Sequence, residues 1–429
     1  MHVCRRWRRL VFGSPGHLDL RLLCTTRTPV RDALDIWPSL PLHILYDVGL
    51  RGSVDNIIAA LERTDRVREV TLWNTLSSDL EIVFAAMQQP FPELSFLQVG
   101  FNETVLFVPD SFLGRSAPRL ESLALEKVLF PGLLKLLLSA THLVTLHLSN
   151  IPHSGFIPPD TMVTTLSMLT SLSALSLKFT SPRSCPDRES RHPSPSTRPV
   201  LSALSSFWFG GVSEYLEDLV ACIDAPQLSG MDITFFNDIV FDTPQLIQFI
   251  GRTPLPRELE KAHLTFWDRS AAVNVSRTSG YESGRFRVEI SCRGPDWQVS
   301  NLEQVCTSCL LCCSKLEDLY IRIRYQEPDW KDNIENGLWL ELLRPFTAVK
   351  NLYITEEFAT RIGPALQELV EDRTTEVLPA LQNIYLEGFE SSGTVEEGIR
   401  QLVAARQVTS RPITVSRWAN LEEETKGYY

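Results

Sequence analysis

The sequence lacks any apolar run near the roughly 20 residues that a membrane-spanning helix needs, so we predict no membrane partner. It also lacks a basic excess: the formal net charge is −11, whereas nucleic-acid-binding domains are usually basic. The first ten residues, MHVCRRWRRL, are charged and precede no apolar core, so we expect no secretory signal. These absences favour a chain of the cytoplasm or nucleus that binds neither membrane nor nucleic acid.

A regular cysteine pattern is missing as well. The nine cysteines are odd in number and irregularly spaced, which is typical of reduced intracellular thiols and not of a disulfide framework. Cys306, Cys309, Cys312 and Cys313 resemble a metal-binding run, but three of them share helical spacing with leucines. Because free cysteine behaves as a small apolar residue, we favour a core role for them, with a metal site as the alternative. No metal and no cofactor are predicted.

Catalytic motifs are absent too. The sequence contains no G-x-S-x-G, no H-E-x-x-H and no phosphate-binding glycine loop. His142, His147 and His153 are close in sequence, but a strand followed by a loop does not direct three side chains at one point. We therefore predict that the chain is not an enzyme.

What the sequence does contain is a repeat. The motif L-x-x-L-x-L, or a close variant, recurs at intervals of about 23 to 33 residues over much of the chain, which is the period of a stacked supersecondary unit. Such a unit buries its apolar edge only against copies of itself. The copies are VREVTL from Val67, LSFLQV from Leu94, LESLAL from Leu120, LVTLHL from Leu143, LSALSL from Leu172, LSGMDI from Leu228, LEDLYI from Leu316, VKNLYI from Val349 and LQNIYL from Leu381.

Each repeat has a strand half and a helix half. The motif ends in period-2 apolar placement, which predicts a short strand, and the segment that follows shows helical spacing. Ser53 before VDNIIAALER is a predicted N-cap, and Thr243 with Pro244 predicts another helix start. The pattern favours an α/β leucine-rich-repeat-like solenoid, with a curved parallel sheet inside and helices outside.

Two segments interrupt the repeats. Residues 181–199 hold five prolines, five serines and four arginines, a composition that predicts a disordered insertion. Residues 269–285 are predicted to form a polar loop. Apolar repeats resume after each one, so we expect both to project from one irregular solenoid.

One row of residues points away from the leucines in this interpretation. Side chains alternate on a strand, so position five of each motif faces the concave side. The last three copies place Tyr320, Tyr353 and Tyr385 there, with Arg322 two positions beyond the first tyrosine. Tyrosine is enriched at binding hot spots, so we predict that these residues bind a target protein whose basic side chains meet the acidic surroundings; the alternative is that the rings only cover the sheet.

The N-terminal segment VCRRWRRLVFGSPGHLDL, residues 3–20, resembles the last third of the F-box of fungal F-box proteins. In that family a V-C-R-x-W helix precedes a small-residue turn, a Ser-Pro and a strand. Segments WLELLRPFTAVKNLYI, EVLPALQNIYLEGF and QLVAARQ are similar to the C-terminal parts of basidiomycete F-box and leucine-rich-repeat-like proteins. The expected organisation is therefore a truncated F-box-like segment at 1–25, with a remnant helix, and a repeat solenoid at 26–429.

The resemblance implies a substrate receptor of a Skp-cullin-F-box ubiquitin ligase. In such a receptor Val3, Trp7 and Leu10 contact the Skp-type adaptor, and the repeats hold a target protein of unknown identity. The Leu-Pro-x-Glu segment that opens an F-box is missing from the sequence. The alternative function is therefore a scaffold or decoy without ligase coupling.

Overall fold

The structure is a computed structural model of the chain. It describes residues 5–6, 13, 21–36, 40–47, 53–73, 77–100, 105–181, 198–236, 243–255, 260–276, 285–292, 294–309, 313–323, 334–368, 376–387, 395–408 and 411–418. Two compact units divide the chain. The first consists of Met1–Ser205 and Cys222–Ala225, and the second of Ser206–Ala221 and Pro226–Tyr429.

The first unit contains nine strands in its described residues. Seven pair side by side, all parallel, in the order β1-β2-β3-β4-β6-β8-β9, while β5 and β7 form a separate parallel pair. The strands are β1 Leu22–Cys24, β2 Leu42–Asp47, β3 Val67–Trp73, β4 Phe96–Gly100, β5 Leu106–Phe107, β6 Ser122–Glu126, β7 Val128–Leu129, β8 Thr145–Ile151 and β9 Ala174–Phe179.

Helices connect most of these strands, as parallel pairing requires a crossover. Ser53 caps the second helix and accepts a hydrogen bond from the Asp55 backbone N–H at 3.1 Å, which confirms the predicted N-cap. The helices of this unit are α1 Val30–Ile36, α2 Val54–Leu61, α3 Ser77–Ala86, α4 Leu133–Ser139 and α5 Pro159–Met168.

The leucines of the motif form one shared core row. Leu97, Leu123, Leu146 and Leu175 pair in register on four neighbouring strands, and each has 0% exposure. This buried row confirms, for this unit, the prediction that the repeats share one apolar core. The same register aligns the outward residues of the motif.

The second unit contains nine more strands within its described part. Their order is β10-β11-β14-β13-β12-β15-β16-β17-β18. They are β10 Ser206–Gly211, β11 Gly230–Phe235, β12 Lys261–Phe266, β13 Ala271–Ser276, β14 Arg285–Ile290, β15 Asp318–Ile323, β16 Asn351–Thr355, β17 Asn383–Glu387 and β18 Thr414–Trp418.

Six helices belong to this unit in the part of the chain that the structure describes: α6 Ser213–Ala221, α7 Pro244–Arg252, α8 Pro295–Gln304, α9 Asn336–Leu343, α10 Glu356–Gln367 and α11 Val395–Val408. They pack on the sheet face that carries the buried leucines and isoleucines; α10, for example, contacts β15, β16 and β17. Aromatic contacts join the layers, since Phe358 of α10 lies 4.9 Å from Trp339 of α9 and 5.8 Å from Phe266 of β12. The opposite sheet face carries the polar residues.

Strand β13 departs from the predicted arrangement. We expected all strands to be parallel and residues 269–285 to form a polar loop, but Ala271–Ser276 pair antiparallel with both β12 and β14. The reason is local: Ala271, Val273 and Val275 are buried, and a four-residue turn from Phe266 to Ala271 needs no helix because the pairing is antiparallel.

The structure describes only part of the other segments predicted from the sequence. Residues 182–197 of the expected insertion lie outside them, and so do Val3, Trp7 and Leu10 of the F-box-like segment. The last residues of that segment, Leu22–Cys24, form β1 and pair with β2. Across the described ranges, no helix is both long and apolar enough to cross a bilayer.

Candidate functional site

Three tyrosines of the second unit lie in one row across neighbouring strands. Tyr320 pairs with Tyr353, and Tyr353 pairs with Tyr385, in the parallel register of β15, β16 and β17. The ring centroids are 4.2 Å apart in the first pair and 4.6 Å in the second, with interplanar angles of 6° and 10°. Parallel strands are spaced by about 4.8 Å, which places tyrosines in register at stacking distance.

A fourth ring extends the row. His263 of β12 pairs with Tyr320, and their ring centroids lie 4.4 Å apart at an interplanar angle of 10°. The sequence analysis missed it, although LEKAHL from Leu259 is a variant of the motif that has Ala262 in place of the second leucine and His263 at position five. We call His263, Tyr320, Tyr353 and Tyr385 the ring row. All four are half-buried, so part of each ring remains exposed on this sheet face.

The tyrosine hydroxyls occupy a poorly hydrated and acidic environment. Burial raises the pKa of Tyr320 above its usual value, and Tyr353 and the Asp318 carboxylate raise it further. Burial and then Asp318 raise the pKa of Tyr353. A hydrogen bond links the side chains of Tyr320 and Tyr353. The phenols of Tyr320 and Tyr353 are therefore neutral at ordinary pH.

Arg322 lies in the next outward row of β15, as predicted, but little of it is accessible. Only 7% of the residue is exposed, and its guanidinium carbon lies 5.6 Å from the centroid of the Tyr320 ring. That distance is within the range of a cation–π contact. Arg322 thus stabilises the ring row from within, and its contribution to a partner surface is smaller than the sequence position suggests.

A polar ladder runs along the other side of the ring row. Asn351 donates from Nδ2 to Asp318 Oδ1 at 2.7 Å, and Asn383 donates to Asn351 Oδ1 at 2.8 Å. Lys261 Nζ lies 3.9 Å from Asp318 Oδ2. These side chains sit two residues before the rings on β12, β15, β16 and β17, so their bonds fix the register on which the ring stack depends.

Beyond His263 the row becomes charged. The next positions in register are Asn274, Arg287, Asp232 and Trp208. Arg287 lies 3.4 Å from an Asp232 carboxylate oxygen, pairs with the neighbouring Glu289 and has its guanidinium 5.9 Å from the Trp267 ring. This half of the row is an ion-pair cluster in which Arg287 lies between two carboxylates, and the aromatic half is uncharged.

The first unit has a similar row without stacked rings. Thr71, Gln98, Ala124, His147 and Ser176 pair in register, as the motif predicts. Burial and then Lys178 lower the pKa of His147, so the imidazole is held neutral. This row has one ring, that of His147, and its other members have small or amide side chains.

A polar groove of about 400 Å³ lies at the amino-terminal ends of the strands in the first unit. Glu69 lies there between Arg21, at 3.0 Å, and His43 Nδ1, at 2.7 Å. Arg68 and Glu121 line the same groove and are exposed. Exposed ion pairs of this kind add little stability or selectivity, so we do not place the functional site here.

The sequence-level metal candidates do not form a site in the described residues. Cys306 and Cys313 are buried, and the pKa of the Cys313 thiol is raised by its hydrogen bond to Cys306 and by burial. The side chains of Cys309 and Cys312 lie outside the described part. Within that part no group of three or more His, Cys, Asp or Glu side chains is arranged to hold a metal ion, and His142, His147 and His153 are not brought together.

Comparisons with known proteins do not assign the chain to a family. No protein-family model matches the chain, and no curated protein matches it. Among solved structures it is similar to the leucine-rich repeat-containing protein LegL7 from Legionella pneumophila, at 13% sequence identity and a TM-score of 0.31, over 80% of this chain and 93% of that one. A likeness at that score says nothing about function, and the F-box resemblance stays a prediction from the sequence.

Proposed function

We propose that the chain is a non-catalytic protein-interaction module, a leucine-rich-repeat solenoid that holds a protein partner on the sheet face of the ring row. The observation that carries the proposal is the stack of Tyr320, Tyr353 and Tyr385 with centroids 4.2 Å and 4.6 Å apart. Tyrosine offers a large contact area with a polar end, and such residues dominate protein interfaces.

Preorganisation supports this role. Each ring of the row is held by its stacking neighbours, and the backbone below is fixed by the Asp318–Asn351–Asn383 ladder. A partner therefore meets side chains that are already ordered, and little side-chain entropy is lost on binding. The exposed part of each ring also has a polar edge, which polar groups of a partner contact.

The test is capture by three forms of the chain: wild type, a triple variant with Tyr320→Ala, Tyr353→Ala and Tyr385→Ala, and a triple variant with Phe at the same positions. Proteins held by crosslinking are identified by mass spectrometry. We expect a discrete partner that the wild type and the Phe variant retain, at reduced level in the latter, and that the Ala variant loses by at least about tenfold. Equal capture by a folded Ala variant would exclude the ring row as the site.

The finer proposal is that this module is a substrate receptor of a Skp-cullin-F-box ubiquitin ligase. It is supported by the sequence resemblance of residues 3–20 to an F-box and assigns Val3, Trp7 and Leu10 to the adaptor contact. Binding of the intact chain to a purified Skp-type adaptor tests it, with Trp7→Ala as the variant and Trp297→Ala, an exposed tryptophan elsewhere, as the matched control. We expect the wild type and the Trp297→Ala variant to bind the adaptor, and the Trp7→Ala variant to lose this binding.

Partner binding by the ring row and coupling to the ligase can be disproved separately. A chain that captures a partner through the ring row but does not bind the adaptor is a scaffold or decoy, the alternative function predicted from the sequence. A chain that binds the adaptor while the ring row is dispensable holds its target elsewhere.

A further inference from the structure

Helix α8, Pro295–Gln304, buries two amide side chains in the second unit. Gln298 is 0% exposed and Asn301 is 2% exposed, although glutamine and asparagine usually lie at the surface. The helix packs on β13 and β14 and against α9. Burying a polar group is costly unless its donors and acceptors are hydrogen-bonded, so the partners of these two amides decide how the helix is held.

The amide nitrogen of Gln298 has two partners. Its Nε2 donates to the carbonyl oxygen of Trp267, in the turn between β12 and β13, at 3.0 Å, and to that of Cys292, just after β14, at 3.2 Å. These bonds also fix the orientation of the amide, because a flipped amide would place Oε1 against two carbonyl oxygens. The oxygen Oε1 is therefore the acceptor that remains.

Two buried atoms of this helix have no hydrogen-bond partner among the described residues, namely Gln298 Oε1 and Asn301 Nδ2. The first is an acceptor and the second a donor. Residues three apart on a helix lie on the same side of it, with Cβ atoms about 5–6 Å apart, so one small molecule can reach both amides. Buried polar atoms that lack a protein partner are commonly satisfied by an ordered water.

We propose that one water molecule is bound between Gln298 and Asn301 as a fixed part of the second unit. The water donates a hydrogen bond to Gln298 Oε1 and accepts one from Asn301 Nδ2. Because water both donates and accepts, it serves either orientation of the Asn301 amide.

The same two atoms select against other occupants. A buried cation requires charged ligands, and the described residues contain no group of three or more His, Cys, Asp or Glu side chains arranged to hold a metal ion. A buried anion would face the oxygen Oε1 of Gln298, which repels it. An apolar group leaves both polar atoms unsatisfied, which is costly inside a protein. Water is the smallest molecule that satisfies an acceptor and a donor together.

The bound water extends a network that joins three segments of the unit. Gln298 already connects α8 to the β12–β13 turn and to the residues after β14. The water connects Gln298 to the next turn of the helix at Asn301, so two successive turns of α8 take part in one hydrogen-bonded network. This water is expected whether or not the ring row binds a protein.

The experiment is a crystal structure of the whole chain at a resolution that shows ordered water. We expect a peak of electron density within hydrogen-bond distance, about 2.7–3.2 Å, of both Gln298 Oε1 and the Asn301 amide. The absence of such a peak between the two side chains, or a direct bond between their amides, would overturn the proposal.

Two leucine substitutions in α8 locate the ligands of the water. Asn301→Leu keeps the approximate size of the side chain and removes its amide, and we expect it to lose the water peak while Gln298 keeps its bonds to Trp267 and Cys292. Gln304→Leu changes a half-buried amide of the same helix and is the matched control, which is expected to keep the water. A peak that persists unchanged in Asn301→Leu would contradict the proposal.

Oxygen-17 relaxation dispersion tests the same site in solution, because it detects waters that stay bound far longer than surface waters do. We expect one long-lived water fewer in Asn301→Leu than in the wild type, and no change in Gln304→Leu. Circular dichroism checks that both variants fold. Equal counts in all three folded proteins would also overturn the proposal, and if Asn301→Leu does not fold, the wild-type crystal structure decides alone.

Discussion

The rings of Tyr320 and Tyr353 lie 4.2 Å apart and within 6° of parallel, although 33 residues of chain separate them. Their alignment follows from the backbone, because β15 and β16 pair in register from Asp318 with Asn351 to Ile321 with Ile354. The contact is thus a direct consequence of the repeat length. It joins consecutive repeats on the sheet face opposite the leucines, so the face we assign to binding also contributes to stability.

Among the stacked tyrosines, substitution of the central one, Tyr353, is expected to destabilise the protein most. Tyr353→Ala removes two stacked contacts, with Tyr320 and with Tyr385, and we expect it to lower the free energy of unfolding by about 1–3 kcal/mol. Tyr353→Phe keeps both contacts and removes only a hydroxyl, so its effect is expected to stay below about 1 kcal/mol. Urea unfolding of the two variants makes the comparison. An Ala variant as stable as the Phe variant would show that stacking contributes nothing.

Alkaline pH is expected to destabilise the protein through its buried phenols. Burial raises the pKa of Tyr320 and of Tyr46, whose hydroxyl also donates to Asp79 Oδ2 at 2.5 Å. The folded state therefore holds these protons at pH values where the unfolded state has lost them. Their stability contribution is complete below pH ~10 and falls as pH rises above it.

Tyr46→Phe and Tyr320→Phe each remove one such phenol. We expect the free energy of unfolding of each variant to fall less steeply than that of the wild type between pH ~10 and ~12, with the values at pH 8 as the internal reference. Urea titrations at a series of pH values give the slopes. Slopes equal to that of the wild type would mean that these tyrosines titrate normally.

The leucine row of the first unit predicts a large cavity effect. Leu146 has 0% exposure and pairs with Leu123 on one side and Leu175 on the other. We expect Leu146→Ala to cost about 2–5 kcal/mol. Val144→Ala, two residues earlier and 38% exposed, is the control and should cost well under half as much. Similar losses for the two variants in urea unfolding would contradict a shared core row.

A buried arginine holds a loop of the second unit. Arg406 of α11 is 1% exposed, and its Nη2 donates to the carbonyl oxygens of Val377 at 2.9 Å and Leu378 at 3.2 Å. Leu378 has a positive φ of 48°, a strained backbone that these bonds help to hold. Arg406→Met leaves the carbonyls without their charged donor, so we expect a loss of about 2–4 kcal/mol.

Arg400→Met, in the same helix and exposed, is the matched control, with an expected change within about 0.5 kcal/mol. Thermal and urea unfolding measure both variants. If the two substitutions lower the free energy of unfolding equally, the buried guanidinium does not stabilise the loop more than a surface charge does.

Much of this arrangement was predictable from the sequence. The L-x-x-L-x-L spacing fixes which residues share a strand face, and the parallel register follows once one face is apolar. Leu123, Leu146 and Leu175 are neighbours for that reason, and so are Tyr320, Tyr353 and Tyr385. The prediction of a ring row needed no information beyond the alternation of side chains on a strand.

The rest was not predictable because it depends on long-range pairing. His263 joins the ring row because β12 lies beside β15. The motif variant LEKAHL places His263 at position five but does not show which strand lies beside it, since β13 and β14 come between β12 and β15 in the chain. Strand β13 is antiparallel because a short turn follows Phe266, and its alternating AAVNVS fits a strand or a loop equally well in isolation. The burial of Arg406 depends on its contact with a loop almost 30 residues away, and no local sequence pattern indicates that contact.

The insertion of β12 and β13 has a consequence for how the second unit assembles. Asp232 and Arg287 sit on adjacent strands but are 55 residues apart in the chain, far more than one repeat. A repeat array can grow by adding each module to the one before it, with local contacts throughout. Here β11 pairs with a strand much further along the chain than the next repeat, and such non-local pairings slow folding. We infer that this junction divides the folding of the second unit into a local phase and a slower closing step, and that deleting a module on either side of it has a larger effect on folding than deleting one elsewhere.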